Sequence, residues 1–337
     1  MRKKRPPLRY IVGVLVPLQA KQQERVMMES KESAGLGVIG RAVEELTASG
    51  GLGLCALHGE EEGARLPSAQ ALAEIVELAR AAVFPGFYGR STVRPSTMRY
   101  QMGVSVERLH GLLCEQVAAG LCFGGGVARD RRGEVAEQVA GQVVERLPEL
   151  RRVLATDVEA AYRGDPAATG WGEIIACYPA IRALTCYRLA HELHVLGVPL
   201  IPRMMTEMAH SETGIDIHPA ATIGHHFTID HGTGVVIGAT CVIGNNVKLY
   251  QGVTLGAISF PLDEAGNPIK GIPRHPIVED DVVIYANATV LGRITIGRGC
   301  VVGANVWVTK SMKPGTKKYN RERVNPMDME FSHGMGI

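Results

Sequence analysis

The sequence lacks three features that would indicate a specialised environment: paired cysteines, an excess of charge of one sign, and long apolar runs. Its seven cysteines include no C-x-x-C pair and are odd in number, which argues against a disulfide framework or a zinc knuckle and predicts a reducing, cytoplasmic setting. Lys plus Arg total 36 against 34 for Asp plus Glu, so bulk charge gives no reason to expect nucleic acid or an anionic membrane as a partner. No segment approaches the roughly 20 apolar residues of a membrane span.

The first residues have the outline of a signal peptide, with a basic start and a short apolar stretch at residues 10–18. Pro17 interrupts the apolar part, and no small-x-small cleavage site follows it. We therefore do not expect export. Residues 1–60 carry no pattern that assigns them a role.

Residues 1–210 are predicted to be mainly α-helical, because apolar residues recur there at spacings of three and four. One predicted helix begins after Ser68, a candidate N-cap. Its apolar face consists of Leu72, Ile75, Val76 and Ala79. A second long helical pattern, residues 134–168, contains Pro148, which predicts either a new helix or a kink at that point. The glycine-rich segments 48–63 and 121–133 are predicted loops, and neither has the Lys-Ser/Thr of a phosphate loop.

A repeat of period six begins after His210. The first run of apolar positions is Ile217, Ile223, Ile229, Val235, Cys241, Val247 and Val253. The second run is Val278, Ile284, Val290, Ile296, Val302 and Val308, and a companion residue lies four positions after each of the first five: Val282, Ala288, Ile294, Cys300 and Val306. Glycines near these positions suit tight corners between short strands. Such a repeat predicts a parallel β-helix whose coils stack about 4.8 Å apart.

The repeat resembles the left-handed hexapeptide β-helix of acyltransferases, with three hexapeptides to a coil. The motifs "DIHP", "DHGTG" and "RHP", with "RGDPAA" upstream, are more specific and are similar to those of serine O-acetyltransferases, over roughly Asp157 to Val308. The resemblance implies an α+β chain: a helical domain at 1–210, a left-handed parallel β-helix at 211–310 and a flexible tail at 311–337. It also implies transfer of acetyl from acetyl-CoA to L-serine.

His231 is the candidate general base. Removing the proton of an alcohol at neutral pH suits an imidazole, and a carboxylate bound to its other nitrogen would fix the tautomer and stabilise the imidazolium. Asp216 is the candidate partner, because it precedes His231 by 15 residues, near the 18 that separate stacked neighbours. The resemblance assigns the same pair. Cys241 and Cys300 occupy inward positions and are expected to be buried apolar residues rather than nucleophiles.

A free amino acid requires partners for its carboxylate and its ammonium. Arg274 suits the carboxylate with His275 beside it, while Asp165 and Asp230 suit the ammonium. These four match substrate-contacting positions by resemblance. Two structural alternatives stay open: Asp165, which precedes Pro166, could simply end a helix, and Arg274 could be a surface arginine.

For coenzyme A, the resemblance points to the groove between neighbouring β-helices and to the backbone near Gly256, Ala257 and Ala286. Four lysines after the last predicted coil are candidates for its phosphates, or else belong to a solvated segment: Lys310, Lys313, Lys317 and Lys318. No metal is expected.

The resemblance also implies assembly. Prisms of this type form homotrimers that share sites between subunits, and the helical domain could join two trimers into a hexamer. The sequence ends in Ile337, and a terminal isoleucine binds cysteine synthase in this family. Inhibition by cysteine is a further family expectation.

Some residues depart from the family pattern. The loop at 257–274 is longer than expected, Ala239 stands where an acidic residue is common, and Tyr285 replaces a small residue beside the coenzyme groove. The alternatives are an acetyltransferase for a sugar, homoserine or another acceptor, a non-catalytic scaffold whose tail binds a partner, and a γ-type zinc carbonic anhydrase. The last would draw its ligands from five histidines: His218, His225, His226, His231 and His275.

Overall fold

The structure is a computed structural model, and it describes residues 37–46, 66–89, 94–124 and 126–320. Two compact units make up the chain, Met1–Gly63 and Ala64–Ile337. In the first unit the described residues form a helix, α1, at 37–46. Ile337, the residue expected to bind cysteine synthase, lies outside the described residues, as does the whole loop predicted at 48–63.

Six helices form the first part of the second unit. They are α2 (Ala69–Val83), α3 (Met98–Gly124), α4 (Arg132–Gly164), α5 (Trp171–Cys177), α6 (Pro179–Val195) and α7 (Ile201–Thr213), with a 3₁₀ turn at Arg129–Arg131 before α4. Ser68 caps α2 as predicted, its hydroxyl accepting from the amide of Ala71 at 3.3 Å. Pro148 lies inside the continuous helix α4, so the expectation of a new helix at that residue is wrong.

Fourteen short strands follow and pair only in parallel. They are β1 (Asp216–Ile217), β2 (Thr222–Ile223), β3 (Thr228–Asp230), β4 (Val236–Ile237), β5 (Val242–Ile243), β6 (Lys248–Tyr250), β7 (Thr254–Gly256), β8 (Ile277–Val278), β9 (Val283–Ile284), β10 (Thr289–Leu291), β11 (Thr295–Ile296), β12 (Val301–Val302), β13 (Trp307–Val308) and β14 (Lys317–Lys318). Sheet 1 holds β1, β4, β7, β10 and β13; sheet 2 holds β2, β5, β8 and β11; sheet 3 holds β3, β6, β9, β12 and β14. The chain passes through the three sheets in turn, which confirms the predicted parallel β-helix, with about five coils.

The period-six positions fill the interior of this prism. All seven residues of the first run and all six of the second are buried, and Cys241 and Cys300 are 1% and 0% exposed, as expected of apolar core residues. The continuous column of aliphatic contacts through the coils is the main source of stability for strands that are only two or three residues long.

Two interruptions break the regular stacking. Ile217 pairs with Ile237, twenty positions later, whereas Ile237 pairs with Leu255 at the regular eighteen. The two extra residues lie in the turn between β3 and β4, which contains His231. The second interruption is the 257–274 loop, where Leu255 pairs with Val290, thirty-five positions later. This loop folds back on itself through an antiparallel bridge between Leu262 and Pro268.

The β-helix extends further than the sequence predicted. Residues 311–318 were assigned to a flexible tail, but Met312 is buried and forms a bridge to Ile296, and β14 pairs with β12. Met312 follows Val306 by six residues and so continues the repeat. The repeat could not be recognised further along the sequence, because β14 consists of lysines instead of aliphatic residues.

A buried ion pair joins the helical region to the first coil. Arg188 of α6 makes a bidentate pair with Asp157 of α4 at 2.7 and 2.9 Å, and Asp157 also accepts from the amide of Phe227. The same guanidinium donates to the carbonyls of Ile223 and Gly224. Every polar atom of this carboxylate is therefore paired, and the end of α4 is held against β3. None of the described helices combines the length and hydropathy needed to cross a bilayer.

Candidate active site

His231 projects from the enlarged turn between β3 and β4. Its side chain is 61% exposed, and its backbone adopts a left-handed conformation with φ of 54°. Gly232 follows with φ of 97°, and a Cβ there would lie 2.5 Å from the side chain of Ile215. The turn therefore requires glycine at 232, and its extra length pushes the imidazole outward from the prism.

Asp230, the last residue of β3, connects His231 to a lysine that the sequence analysis did not single out. Its Oδ1 lies 3.7 Å from Nε2 of His231, and its Oδ2 lies 3.0 Å from Nζ of Lys248. Lys248 is at the start of β6, one coil below, and also donates to the carbonyl of Gly164 at 2.7 Å. Burial lowers the pKa of Lys248, but hydrogen bonds with Tyr250 and Asp230 outweigh this and raise it.

Asp165 lies beside this group at the C-terminal end of α4. One carboxylate oxygen accepts from the phenol of Tyr178 and the other from the amide of Ala167 at 2.8 Å. These two bonds, followed by the charges of Lys248 and His231, hold the pKa of Asp165 below its usual value. Asp165 does end a helix, as the structural alternative stated, and it also shares a small pocket with Asp230 and Lys248.

Asp216 lies at the same edge of the prism as His231, where sheet 3 leads into sheet 1. The turn containing His231 rests on the segment before Asp216, since Gly234 donates to the carbonyl of Gly214 at 2.8 Å. The two side chains do not form an ion pair: among the described residues, Asp216 pairs with Arg203 at 3.9 Å, and His231 pairs with Asp230. The stacked partner of Asp216 is Val236, twenty positions later, so His231 lies in the turn five residues before that partner.

Arg274 and His275 lie at a different edge, where sheet 1 leads into sheet 2, just before β8. His275 is only 7% exposed, and its Nδ1 accepts from the amide of Thr240 at 3.1 Å. Its neutral form therefore carries the ring proton on Nε2. Burial, with the charges of Arg274 and Arg293, lowers the pKa of His275. The ring packs flat against Gly238, where a Cβ would lie 2.0 Å from it.

The predicted site residues thus form two groups on one chain. Asp165, Asp216, Asp230 and His231 lie at the edge between sheets 3 and 1, whereas Arg274 and His275 lie at the edge between sheets 1 and 2. No hydrogen bond or ion pair connects the two groups within the part of the chain that the structure describes.

The predicted coenzyme residues are divided in the same way. Gly256 and Ala257 lie at the edge between sheets 1 and 2, and Ala286 lies at the edge between sheets 3 and 1. Tyr285, beside Ala286, stacks on Tyr250 with ring centroids 4.9 Å apart, so these two rings form a platform below Asp230. The four candidate phosphate-binding lysines are exposed.

Several residues of the site could not be found by motif. Lys248 and Tyr178 occupy no motif position, and their roles depend on how α4 docks on the first coil. Thr240, whose hydroxyl accepts from the amides of Arg274 and His275, is 34 residues away from Arg274 in sequence. In the sequence these residues differ from their neighbours only in being polar and adjacent to inward-facing positions. Most residues at the corners of the prism have the same property, so it does not identify a site residue.

Comparisons with known proteins agree with this architecture. Residues 275–310 match the family model described as bacterial transferase hexapeptide (six repeats), and residues 229–251 match the hexapeptide repeat of succinyl-transferase. The plasmid serine acetyltransferase of Synechococcus elongatus is 50% identical over 257 residues, covering 74% of this chain and 81% of that protein. The serine acetyltransferase of Mycobacterium tuberculosis is 46% identical over 158 residues, covering 47% of this chain and 65% of that protein.

Solved structures give the same result. Serine acetyltransferase 1 of Entamoeba histolytica in complex with L-cysteine superposes with a TM-score of 0.65 at 36% identity, covering 79% of this chain and 92% of that one. Isoform 3 from the same organism, also in complex with cysteine, gives 0.64 at 33% identity, covering 84% and 90%. None of the five histidines that a carbonic anhydrase would use belongs to a cluster of three metal-ligating groups within the described part of one chain.

Proposed function

The chain belongs to the serine acetyltransferase family and is an acyltransferase, and we propose that it transfers acetyl from acetyl-CoA to the hydroxyl of L-serine with His231 as general base. The observation that carries the assignment of the base is the position of His231. It is the exposed imidazole on the enlarged turn between β3 and β4, next to two carboxylates that suit an amino-acid ammonium. L-serine and acetyl-CoA are the substrates, and the reaction is the first step of cysteine biosynthesis.

The reaction proceeds by direct attack. The imidazole of His231 takes the hydroxyl proton as the serine oxygen attacks the thioester carbonyl carbon, and a tetrahedral oxyanion forms. The C–S bond then breaks, and the leaving thiolate of coenzyme A takes the proton from the imidazolium. The products are O-acetylserine and free coenzyme A, and no acyl-enzyme is required.

Asp216 orients the base during turnover. The imidazole faces Asp230, but the segment below its turn leads directly into Asp216. We propose that the exposed ring turns towards this carboxylate, which would stabilise the imidazolium as it forms. The substrate ammonium then takes the vacated side of Asp230 and contacts Asp165.

The substrate carboxylate is held by Arg274 and His275 of a neighbouring subunit. Because these residues lie at a different edge of the prism from His231, a complete site forms only where two prisms meet edge to edge. A homotrimer provides three such sites, and coenzyme A binds in the same groove between Gly256 and Ala257 on one side and Ala286 on the other. The helical region could join two trimers into a hexamer.

Regulation and partners follow from the family. Two Entamoeba relatives were solved in complex with cysteine, and we expect L-cysteine to compete with L-serine here. The C-terminal Ile337 is proposed to bind cysteine synthase, and a cytoplasmic location agrees with the six described cysteines, all of which are free.

The test is release of free thiol from acetyl-CoA on addition of L-serine, with homoserine and a galactoside as comparison acceptors. Serine-dependent release that exceeds the other two by at least tenfold supports the proposal. Preference for a sugar would retain the fold and refute the substrate, and no release with any acceptor would favour a non-catalytic scaffold.

A further inference from the structure

We propose that His110, Cys114 and Glu137 form a binding site for a divalent transition-metal ion of the zinc type, outside the acetyl-transfer site. His110 and Cys114 are one turn apart on α3, so their side chains share one face of that helix. Glu137 comes from the facing helix α4. Together they offer one nitrogen, one sulfur and one oxygen ligand.

The distances fit a tetrahedral ion. Nε2 of His110 lies 3.9 Å from Sγ of Cys114 and 3.6 Å from Oε1 of Glu137, and one ligand atom from each of the three residues lies within 4.8 Å of the other two. Zinc bound tetrahedrally at its usual bond lengths separates such ligand atoms by about 3.4–3.6 Å. Shifts of about one ångström would therefore bring all three groups to one ion.

These three side chains also lack any other polar partner among the described residues, because each contacts only the other two. The second cluster of this kind, Glu207, His210 and Asp216, differs in this respect. There the guanidinium of Arg203 already pairs with Glu207 and lies 3.9 Å from Asp216. Within the described residues no Lys or Arg pairs with Glu137, and an ion would add positive charge beside its carboxylate.

The ligand chemistry selects the class of ion. A thiolate favours zinc, cobalt and other borderline or soft ions over magnesium and calcium, and imidazole and carboxylate complete a set that zinc accepts. The thiol of Cys114 donates to Glu137, so metal binding would release that proton. The thiolate and carboxylate then balance the two positive charges of the ion, and water takes the fourth position.

The site lies far from the acetyl-transfer site. Glu137 precedes Asp165, at the far end of α4, by 28 residues, which is about 40 Å along a helix that rises 1.5 Å per residue. The ion would clamp α3 to α4 near one end of the helical region. It would contribute to the stability of this region without contacting serine or acetyl-CoA.

Titration of the metal-stripped protein with Co²⁺ tests the site, because a thiolate bound to cobalt gives a charge-transfer band in the near ultraviolet. We expect the band to saturate at one equivalent in the wild type and to be absent from Cys114→Ser. Cys177→Ser, which removes an exposed cysteine, is the matched control and should retain it. The sulfur-free cluster around Asp216 cannot produce this signal.

Two further variants separate loss of a ligand from loss of folding. Glu137 is exposed, so Glu137→Gln should fold normally and bind cobalt or zinc at least about tenfold more weakly, and His110→Ala should do the same. Zinc should raise the melting temperature of the wild type but not of these variants, and serine-dependent thiol release should be unchanged in all of them. A band that is absent from the wild type, persists in Cys114→Ser or disappears in Cys177→Ser would overturn the proposal, and so would undiminished binding in Glu137→Gln. None of these results bears on the acetyl-transfer proposal.

Discussion

Lys248 places its ammonium 3.0 Å from the carboxylate of Asp230, and both side chains are largely buried, at 16% and 17% exposure. The other oxygen of the same carboxylate faces His231 at 3.7 Å. Asp230 therefore stands between a fixed positive charge and the proposed base. Since the lysine neutralises much of the carboxylate charge, it also reduces the influence of that charge on the imidazole.

Replacing Lys248 should alter the pH dependence of the reaction. In Lys248→Met the full charge of Asp230 acts on the imidazole and favours its protonated form, which cannot act as a base. We expect the acidic limb of the kcat/KM profile to move to higher pH by about one unit, while Lys248→Arg retains the wild-type profile. Rate measurements across pH 5.5–9 check this, and a profile of unchanged shape in Lys248→Met would refute the electrostatic role of Lys248.

The division of the site between two edges of the prism predicts complementation between inactive subunits. His231→Asn and Arg274→Ala should each be nearly inactive alone. When the two variants are co-expressed in equal amounts, about one site in four over all trimers combines an intact His231 with an intact Arg274 from its neighbour, given random assembly around a three-fold axis. Activity should therefore recover to about a quarter of the wild-type value. Mixtures that stay inactive, although mass spectrometry shows that mixed trimers form, would show that each site belongs to one chain.

His218 should make the fold sensitive to mild acid. Burial, aided by the charge of Arg203, lowers its pKa from 6.5 to about 4. Below about pH 6.5 the unfolded chain therefore binds a proton at His218 that the folded chain does not bind. The contribution of the neutral His218 to stability is complete above pH 6.5 and is lost as the pH falls towards 4. Because His218 is only half-buried, we expect a loss of about 1–2 kcal/mol rather than the full linkage value.

Urea unfolding at pH 7.0 and 5.0 measures this effect. His218→Gln should show a smaller loss of stability between the two pH values than the wild type, by about 1 kcal/mol. An equal loss in both proteins would assign the acid sensitivity to other groups.

The Asp157–Arg188 pair predicts a large effect on stability. Asp157→Ala leaves a buried guanidinium and the amide of Phe227 without their acceptor, and should lower the free energy of unfolding by about 3–5 kcal/mol. Glu149→Ala is the control, because it removes an exposed pair with Arg152 and should cost less than about 1 kcal/mol. Denaturant titration of both variants distinguishes them, and similar small losses would contradict the role given to the buried pair.

The solenoid could be predicted from the sequence because its interior repeats every six residues and every coil obeys the same packing rule. Ile217, Cys241 and Val302 were placed inside on that basis and are buried. Residues that break the rule were harder to place. The two extra residues beside His231 do not interrupt the apolar residues at every sixth position, but they change which residues pair between neighbouring coils. Asp216 therefore pairs with Val236.

The sequence predicted which types of residue form the site, but not how these residues are arranged in space. Asp165, Asp230 and His231 were named from motifs, and they do lie together. Lys248 was missed because, in sequence, a lysine at the start of a strand does not differ from an ordinary surface residue. Its contact with Gly164, 84 residues earlier, exists only because α4 ends against β3. The wide separation of Arg274 from His231 follows from three-sheet geometry, which motif order does not reveal.

The most direct test of the account is the rate of L-serine-dependent thiol release from acetyl-CoA in the wild type, His231→Asn and His225→Gln. His225 is exposed at the preceding corner of the same coil and serves as the matched control. Loss of a general base should lower kcat by about 10²–10⁴-fold, while His225→Gln should stay within about twofold of the wild type. A folded His231→Asn protein that keeps more than a tenth of the wild-type kcat would contradict the central claim.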